Sequence, residues 1–137
     1  MKHETLASFA PLAPRLVLGV IFLTHGILKF MQLSGTIQFF SHIGIPLAGV
    51  IAPLIALLEI VGGLGIILGV GTRLFAALLA GELLIAILTV RWSAGFVGGY
   101  EFELALVAGL ISLLCSGSGR LALLKDEIAL FARKREA

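Results

Sequence analysis

Few side chains in this sequence can carry a charge or a proton inside an apolar segment, and they fall at informative places. Arg15 and Lys29 bracket the first apolar run, His25 lies within it, and Glu59 and Glu82 sit near the middles of two later runs. An ionisable group near the centre of a bilayer costs on the order of 2.5 to 3.5 kcal/mol on insertion scales, so each requires a reason. Glu59 is followed at i+3 and i+4 by Gly62 and Gly63, which leaves its helix face uncrowded, with room for a ligand, a water or a partner cation. If Glu59 and Glu82 face each other they cannot easily both be ionised, and the pair becomes a proton acceptor. If they point apart, each needs a cation or stays neutral. His25 stands between the outer charges and Glu59 in depth. It is either a proton relay or a packed, hydrogen-bonded histidine.

The first of these runs has a periodic face. Arg15, Gly19, Phe22, Gly26 and Lys29 recur at intervals of four, three, four and three. At about 100° per residue they form a helical stripe roughly 80° wide. Two cations and two glycines on one stripe predict that it meets protein rather than lipid. Arg15 reads as an inner helix-end anchor snorkelling to headgroups, or as a ligand contact. Lys29 reads as an outer contact for Glu101, which opens a helix after Gly98 and Gly99, so that both residues bind a cofactor or simply tie two helix ends together.

Hydrophobic residues make up 59% of the 137 positions and charged ones only 13%, a balance that a soluble domain of this size does not reach. Runs of about 20 apolar residues cross a bilayer, and four approach that length, at about 13–31, 47–69, 74–90 and 102–115. The expected architecture is all-α, a single domain over residues 1–137 forming a four-helix transmembrane bundle. Pro53 is expected to bend the second span or to mark a later start of its regular part. Dense glycines in the second span, with Ala77/Gly81 and Ala105/Gly109 in the third and fourth, predict close helix contacts. The segment Gln32 to Pro46 mixes aromatics, aliphatics and polar residues and reads as a short interfacial element placed to act as a lid. Leu121, Leu124, Ile128 and Phe131, beside Lys125, Asp126, Glu127, Arg133, Lys134 and Arg135, predict a short amphipathic C-terminal helix on the membrane surface.

With four spans, eight of the ten basic residues fall on the side of the termini and only Lys29 and Arg91 on the other, which predicts cytoplasmic termini. The first ten residues include Glu4 and lack an A-x-A-type cleavage site, so the first span is expected to be retained. One cysteine, Cys115, allows no intrachain disulfide or thiol relay. Three histidines, one of them His3 in a polar terminus, argue against a bis-histidine haem, and no metal set is expected. A net charge of +2 without a basic, aromatic-interleaved patch gives no nucleic-acid signal.

Six pieces in order resemble the DoxX family of small four-span membrane proteins: R-x-x-x-G-x-x-F-x-x-x-G-x-x-K at Arg15 to Lys29, G-I-P at Gly44 to Pro46, E-I-V-G-G at Glu59 to Gly63, G-T-R at Gly71 to Arg73, G-Y-E-F at Gly99 to Phe102, and G-S-G at Gly117 to Gly119. The last piece departs from the family pattern, and His25 and Glu82 lie outside its motifs. The resemblance implies a bacterial cytoplasmic-membrane protein, in some relatives a subunit of a thiosulfate:quinone oxidoreductase.

Two functions follow. The first is a quinone-interacting or accessory subunit of a membrane redox system, with Glu59 as proton donor, His25 as relay, and Arg15, Lys29, Gly62, Gly63, Glu82 and Glu101 around the cofactor. Its electrons come from a redox partner protein. The second is a non-enzymatic scaffold or lipid- and small-molecule-handling protein whose buried charges are structural. Membrane lipids, a redox partner and further copies of the chain are the partners consistent with these readings.

Overall fold

The computed structural model describes residues 7–124. The predicted C-terminal amphipathic helix lies outside the described residues from Lys125 onward, and the chain from Gly117 to Leu124 is irregular. Five α-helices account for most of the rest: α1 (Leu12–Met31), α2 (Leu33–His42), α3 (Ala48–Leu68), α4 (Thr72–Ala86) and α5 (Glu101–Ser116). Beyond Ala86 the third span continues as a wide π-helical turn, Ile87–Arg91, and a tight turn, Trp92–Ala94. Four stretches are long and apolar enough to cross a membrane: Leu12–Met31, Ala48–Leu68, Thr72–Ala94 and Phe96–Ser116. The all-helical, four-span expectation therefore holds.

The four spans form a ring in which α1 grips α3 and α4 grips α5, while α3–α4 and α1–α5 contacts close it. The buried residues of α1 are Arg15, Leu18, Gly19, Phe22 and Gly26, so the periodic stripe does face protein. On α3 the buried face is built almost wholly of small residues, Ala48, Ala52, Ala56, Gly62, Gly63 and Gly65, with Glu59 and Ile66 between them. Such a face admits a neighbouring backbone closely. A Cβ on Gly63 would stand 2.5 Å from the Leu23 amide nitrogen and 2.7 Å from the Gly19 carbonyl oxygen, and one on Gly26 would stand 2.8 Å from the Ala56 carbonyl oxygen. Elsewhere the core is aliphatic: Leu18 and Phe22 meet Leu79, Leu83, Leu106 and Leu110. Of the other small pairs, Gly109 packs on Leu18, whereas Gly81 faces open space and supports no helix contact.

Pro53 lies six residues into α3, and the helix starts before it at Ala48, so the proline does not delay the regular part. Its missing N–H leaves the Gly49 carbonyl without its helical donor. The short helix α2 packs on the first half of α3 through Phe40, Ala48 and Ala52. The chain then enters α3 through Leu47, a non-glycine residue held at φ 52°, ψ 40°. That left-handed conformation costs roughly 1 kcal/mol for a side chain with a Cβ, and Leu47 is 77% exposed. Leu47→Gly is accordingly expected to raise the denaturation midpoint in detergent, with a gain of up to about 1 kcal/mol.

Candidate functional site

Gly26 sets the site. Because it lets α1 touch α3 at Ala56 to Ile60, the residue one turn later on α1 reaches the level of Glu59. That residue is Lys29, whose Nζ donates to Glu59 Oε1 at 2.7 Å and stands 3.6 Å from Glu82 Oε1. One ammonium on α1 thus joins a carboxylate on α3 to a carboxylate on α4. The shorter contact has the length of a charge-assisted hydrogen bond. The glutamate side chains are 4% and 11% exposed, against 30% for Lys29. Each carboxylate keeps a second oxygen, Glu59 Oε2 and Glu82 Oε2, buried and without a hydrogen-bond partner among the described residues. Buried oxygens of that kind call for a donor from water or ligand.

Two cavities flank this cluster. The larger, about 690 Å³, lies beneath α2, between α3 and the far end of the third span. Phe39, Phe40, Ile43, Ile45, Ile51 and Ile55 make its apolar walls, and Lys29, Glu82, Arg91 and Glu103 its charged floor, with Gln32, Thr36 and Thr89 at the rim. The segment Gln32 to Pro46, α2 included, supplies one side of this cleft. Thr36 ties α2 to α1 by donating to the Lys29 carbonyl at 3.2 Å and the Gln32 carbonyl at 3.1 Å. The smaller cavity, about 170 Å³, lies on the α5 side among Ile21, Phe22 and His25 of α1, Glu59, Glu82 and Leu83, and Phe102, Glu103 and Leu106 of α5. Lys29, Glu82, Ala86 and Glu103 line both spaces, whereas Glu59 and His25 line only the smaller. The wide turn Ile87–Arg91 carries Thr89, Val90 and Arg91 into the wall of the larger cleft. Arg91 Nε donates there to Glu103 Oε1 at 2.8 Å.

Several sequence-based expectations change here. Lys29 does not pair with Glu101: the Glu101 carboxylate accepts from the Gly98 amide at 2.8 Å, tying down the loop ahead of α5, and Lys29 goes to Glu59 and Glu82 instead. Gly62 and Gly63 do not open a space beside Glu59, because Gly62 packs on Leu79 and Phe75 of α4 and Gly63 on the α1 backbone. Arg15 is not a snorkelling anchor and lies at the opposite end from Lys29. Its side chain is 1% exposed, and its guanidinium donates to the Ile66 carbonyl at 3.0 Å, Ile67 at 2.9 Å, Ser118 at 2.6 Å and Leu121 at 2.8 Å. It caps the last turn of α3 and binds the segment after α5 to it. Gln32, Thr36 and Thr89 escaped notice because isolated polar residues at a helix end carry no spacing signal.

The sequence model of the DoxX family matches residues 10–92, from the start of α1 to the end of the wide turn. The chain belongs to the DoxX family. The matched span of the family supplies Lys29, Glu59, Glu82 and Arg91, while Glu103 comes from the chain beyond it. A Bacillus subtilis (strain 168) protein named "Putative oxidoreductase CatD" is 42% identical over 109 residues, covering 80% of each chain. An uncharacterized membrane protein of Mycobacterium tuberculosis is 38% identical over 125 residues, with 80% of this chain and 76% of that one covered. The inner membrane protein YqjF of Escherichia coli (strain K12) is 34% identical over 119 residues, with 85% and 90% covered. No solved structure matches the chain. With four apolar spans and relatives named as membrane proteins, this is a multi-pass membrane protein.

Proposed function

We propose that this DoxX-family protein binds a quinone in the cleft beneath α2 and serves as a quinone-interacting subunit of a membrane redox system. One observation carries the reading: an apolar cleft of about 690 Å³ ends on a charged floor of Lys29, Glu82, Arg91 and Glu103. A membrane quinone has the matching form, a polar ring with two hydrogen-bond-accepting oxygens on an apolar tail, and sites of this kind combine apolar walls with a few placed polar groups. Reduction of the ring takes up two electrons and two protons. The chain's own residues can supply protons and donors, Lys29 to a ring oxygen and the carboxyls behind it as general acids. The electrons come from a redox partner protein. The name of the Bacillus subtilis relative points in the same direction. The uneven spread of Lys and Arg supports cytoplasmic termini in a bacterial inner membrane. Membrane lipids and further copies of the chain are the remaining partners in this proposal.

The ionic cluster also supports a second reading, in which a non-enzymatic scaffold or lipid-handling protein uses Lys29 to fasten α1 to α3 and α4 and the cleft holds a lipid tail. Binding separates the two. The single tryptophan, Trp92, stacks on Tyr100 at 5.5 Å next to the cleft residue Arg91, so its emission reports occupancy. A short-chain quinone is expected to quench it saturably, and Lys29→Met is expected to weaken that binding at least about tenfold, the worth of one charge-assisted hydrogen bond. Quenching that does not saturate, or equal affinity in the variant, overturns the quinone reading.

A further inference from the structure

The two cavities differ in what lines them, and the ionic cluster stands between. Four of the eighteen residues around the larger are charged, whereas five of the eleven around the smaller are ionisable: His25, Lys29, Glu59, Glu82 and Glu103. Glu59 is nearly wholly buried, and it lines the smaller space but not the larger. Its Oε1 is taken by Lys29, and its Oε2 is buried without a partner among the described residues. The residue that carries this oxygen lines a space of about 170 Å³, which has room for water beside five ionisable side chains. His25, more exposed than the others, stands one turn before Lys29 on the same helix face and forms part of this wall.

We propose that the smaller cavity is a hydrated antechamber through which protons reach the Lys29–Glu59–Glu82 cluster from the α5 side, opposite the ligand cleft. Glu82 and Lys29 line both spaces, whereas Glu59 lines only the antechamber. When Lys29 Nζ gives a proton to a ligand oxygen, it leaves a neutral amine 2.7 Å from the Glu59 carboxylate. Water in the antechamber then protonates Glu59, which passes that proton to the amine across their contact. The charged and titratable groups facing Glu59 along this route are Lys29 and His25 from α1, Glu82 from α4 and Glu103 from α5, with Arg91 on the far side of Glu103. The arrangement separates proton entry from ligand entry, so a bound quinone does not block its own proton supply. This rests on the ligand occupying the larger cleft, as proposed above.

The test measures water access with a cationic methanethiosulfonate reagent on the full chain in nanodiscs, with the native thiol removed by Cys115→Ser. Ile21→Cys and Leu106→Cys place thiols in the antechamber wall, Glu59→Cys places one at its back, and Leu57→Cys places one on an outward surface that lines neither cavity. The antechamber thiols are expected to react at least tenfold faster than the Leu57→Cys thiol, and to keep doing so when the cleft is saturated with short-chain quinone. Leu106→Cys serves if Ile21→Cys does not fold. Reaction no faster than at Leu57→Cys overturns the antechamber. So does protection of the Glu59→Cys thiol by quinone, because access would then run through the cleft. If the quinone fails to bind while the antechamber thiols still react, the ligand reading falls and the hydrated cavity stands.

Discussion

Arg15→Met is expected to destabilise the bundle by at least about 3 kcal/mol, because a buried group with four charge-assisted bonds is removed and its carbonyl partners are left to find water. The loss should appear first at one place. The segment after α5 is held to the end of α3 by Arg15 and by the Leu123 amide bond to the Leu68 carbonyl at 3.0 Å. Hydrogen exchange at Leu123 is therefore expected to rise before the spans themselves loosen. Arg15→Lys should recover only part of the loss, since one compact ammonium cannot reach acceptors spread over Ile66, Ile67, Ser118 and Leu121 as a planar guanidinium does. A parental melting midpoint in Arg15→Met would show that the guanidinium contributes nothing net.

Gly63→Val is expected to cost about 3 kcal/mol through overpacking, and Gly63→Ala roughly half as much. The contacts a Cβ would make there, 2.5 Å to the Leu23 nitrogen and 2.7 Å to the Gly19 oxygen, are with backbone, which cannot swing aside as a side chain can. Either α1 moves away from α3 or the variant does not fold. Separation of the two helices also lifts Lys29 from Glu59, so a surviving Gly63→Val protein should bind quinone weakly as well as melt early. Gly81→Val is the control, since nothing lies within 4 Å of a Cβ at that position. Melting curves of the two variants that coincide would contradict the crossing geometry.

Those two effects mark where sequence reading succeeds and where it stops. Four spans and the protein-facing stripe of α1 are legible because hydropathy and periodicity are local properties. The partner of Lys29 is not. A helical face says which way Lys29 points without saying which neighbour is close enough to meet it, and that depends on how far Gly26 lets α1 sink onto α3. Glu101 carries the opposite charge near the right end, yet its carboxylate is engaged by the Gly98 amide three residues before it. Gly62 and Gly63 follow the same logic in reverse: glycine signals an approach, and whether a ligand or a helix makes it is decided by tertiary packing. Arg15 reads from sequence as a helix-end residue, but its acceptors lie more than fifty residues away in sequence, where no spacing rule connects them.

The long reach of Arg15 bears on the order in which the molecule can be completed. Its acceptors Ser118 and Leu121 are 103 and 106 residues downstream. At ordinary synthesis rates the first span emerges about 5 to 20 s before them. Until the end of the last span arrives, the guanidinium can bond the α3 carbonyls of Ile66 and Ile67 but not those of Ser118 and Leu121. A chain halted before Ser118 thus lacks two of the four carbonyl acceptors described for Arg15, and the finished fold is the first state in which all four are in place. A side chain in the first turn of the first span is thus satisfied in part by the chain that follows the last one.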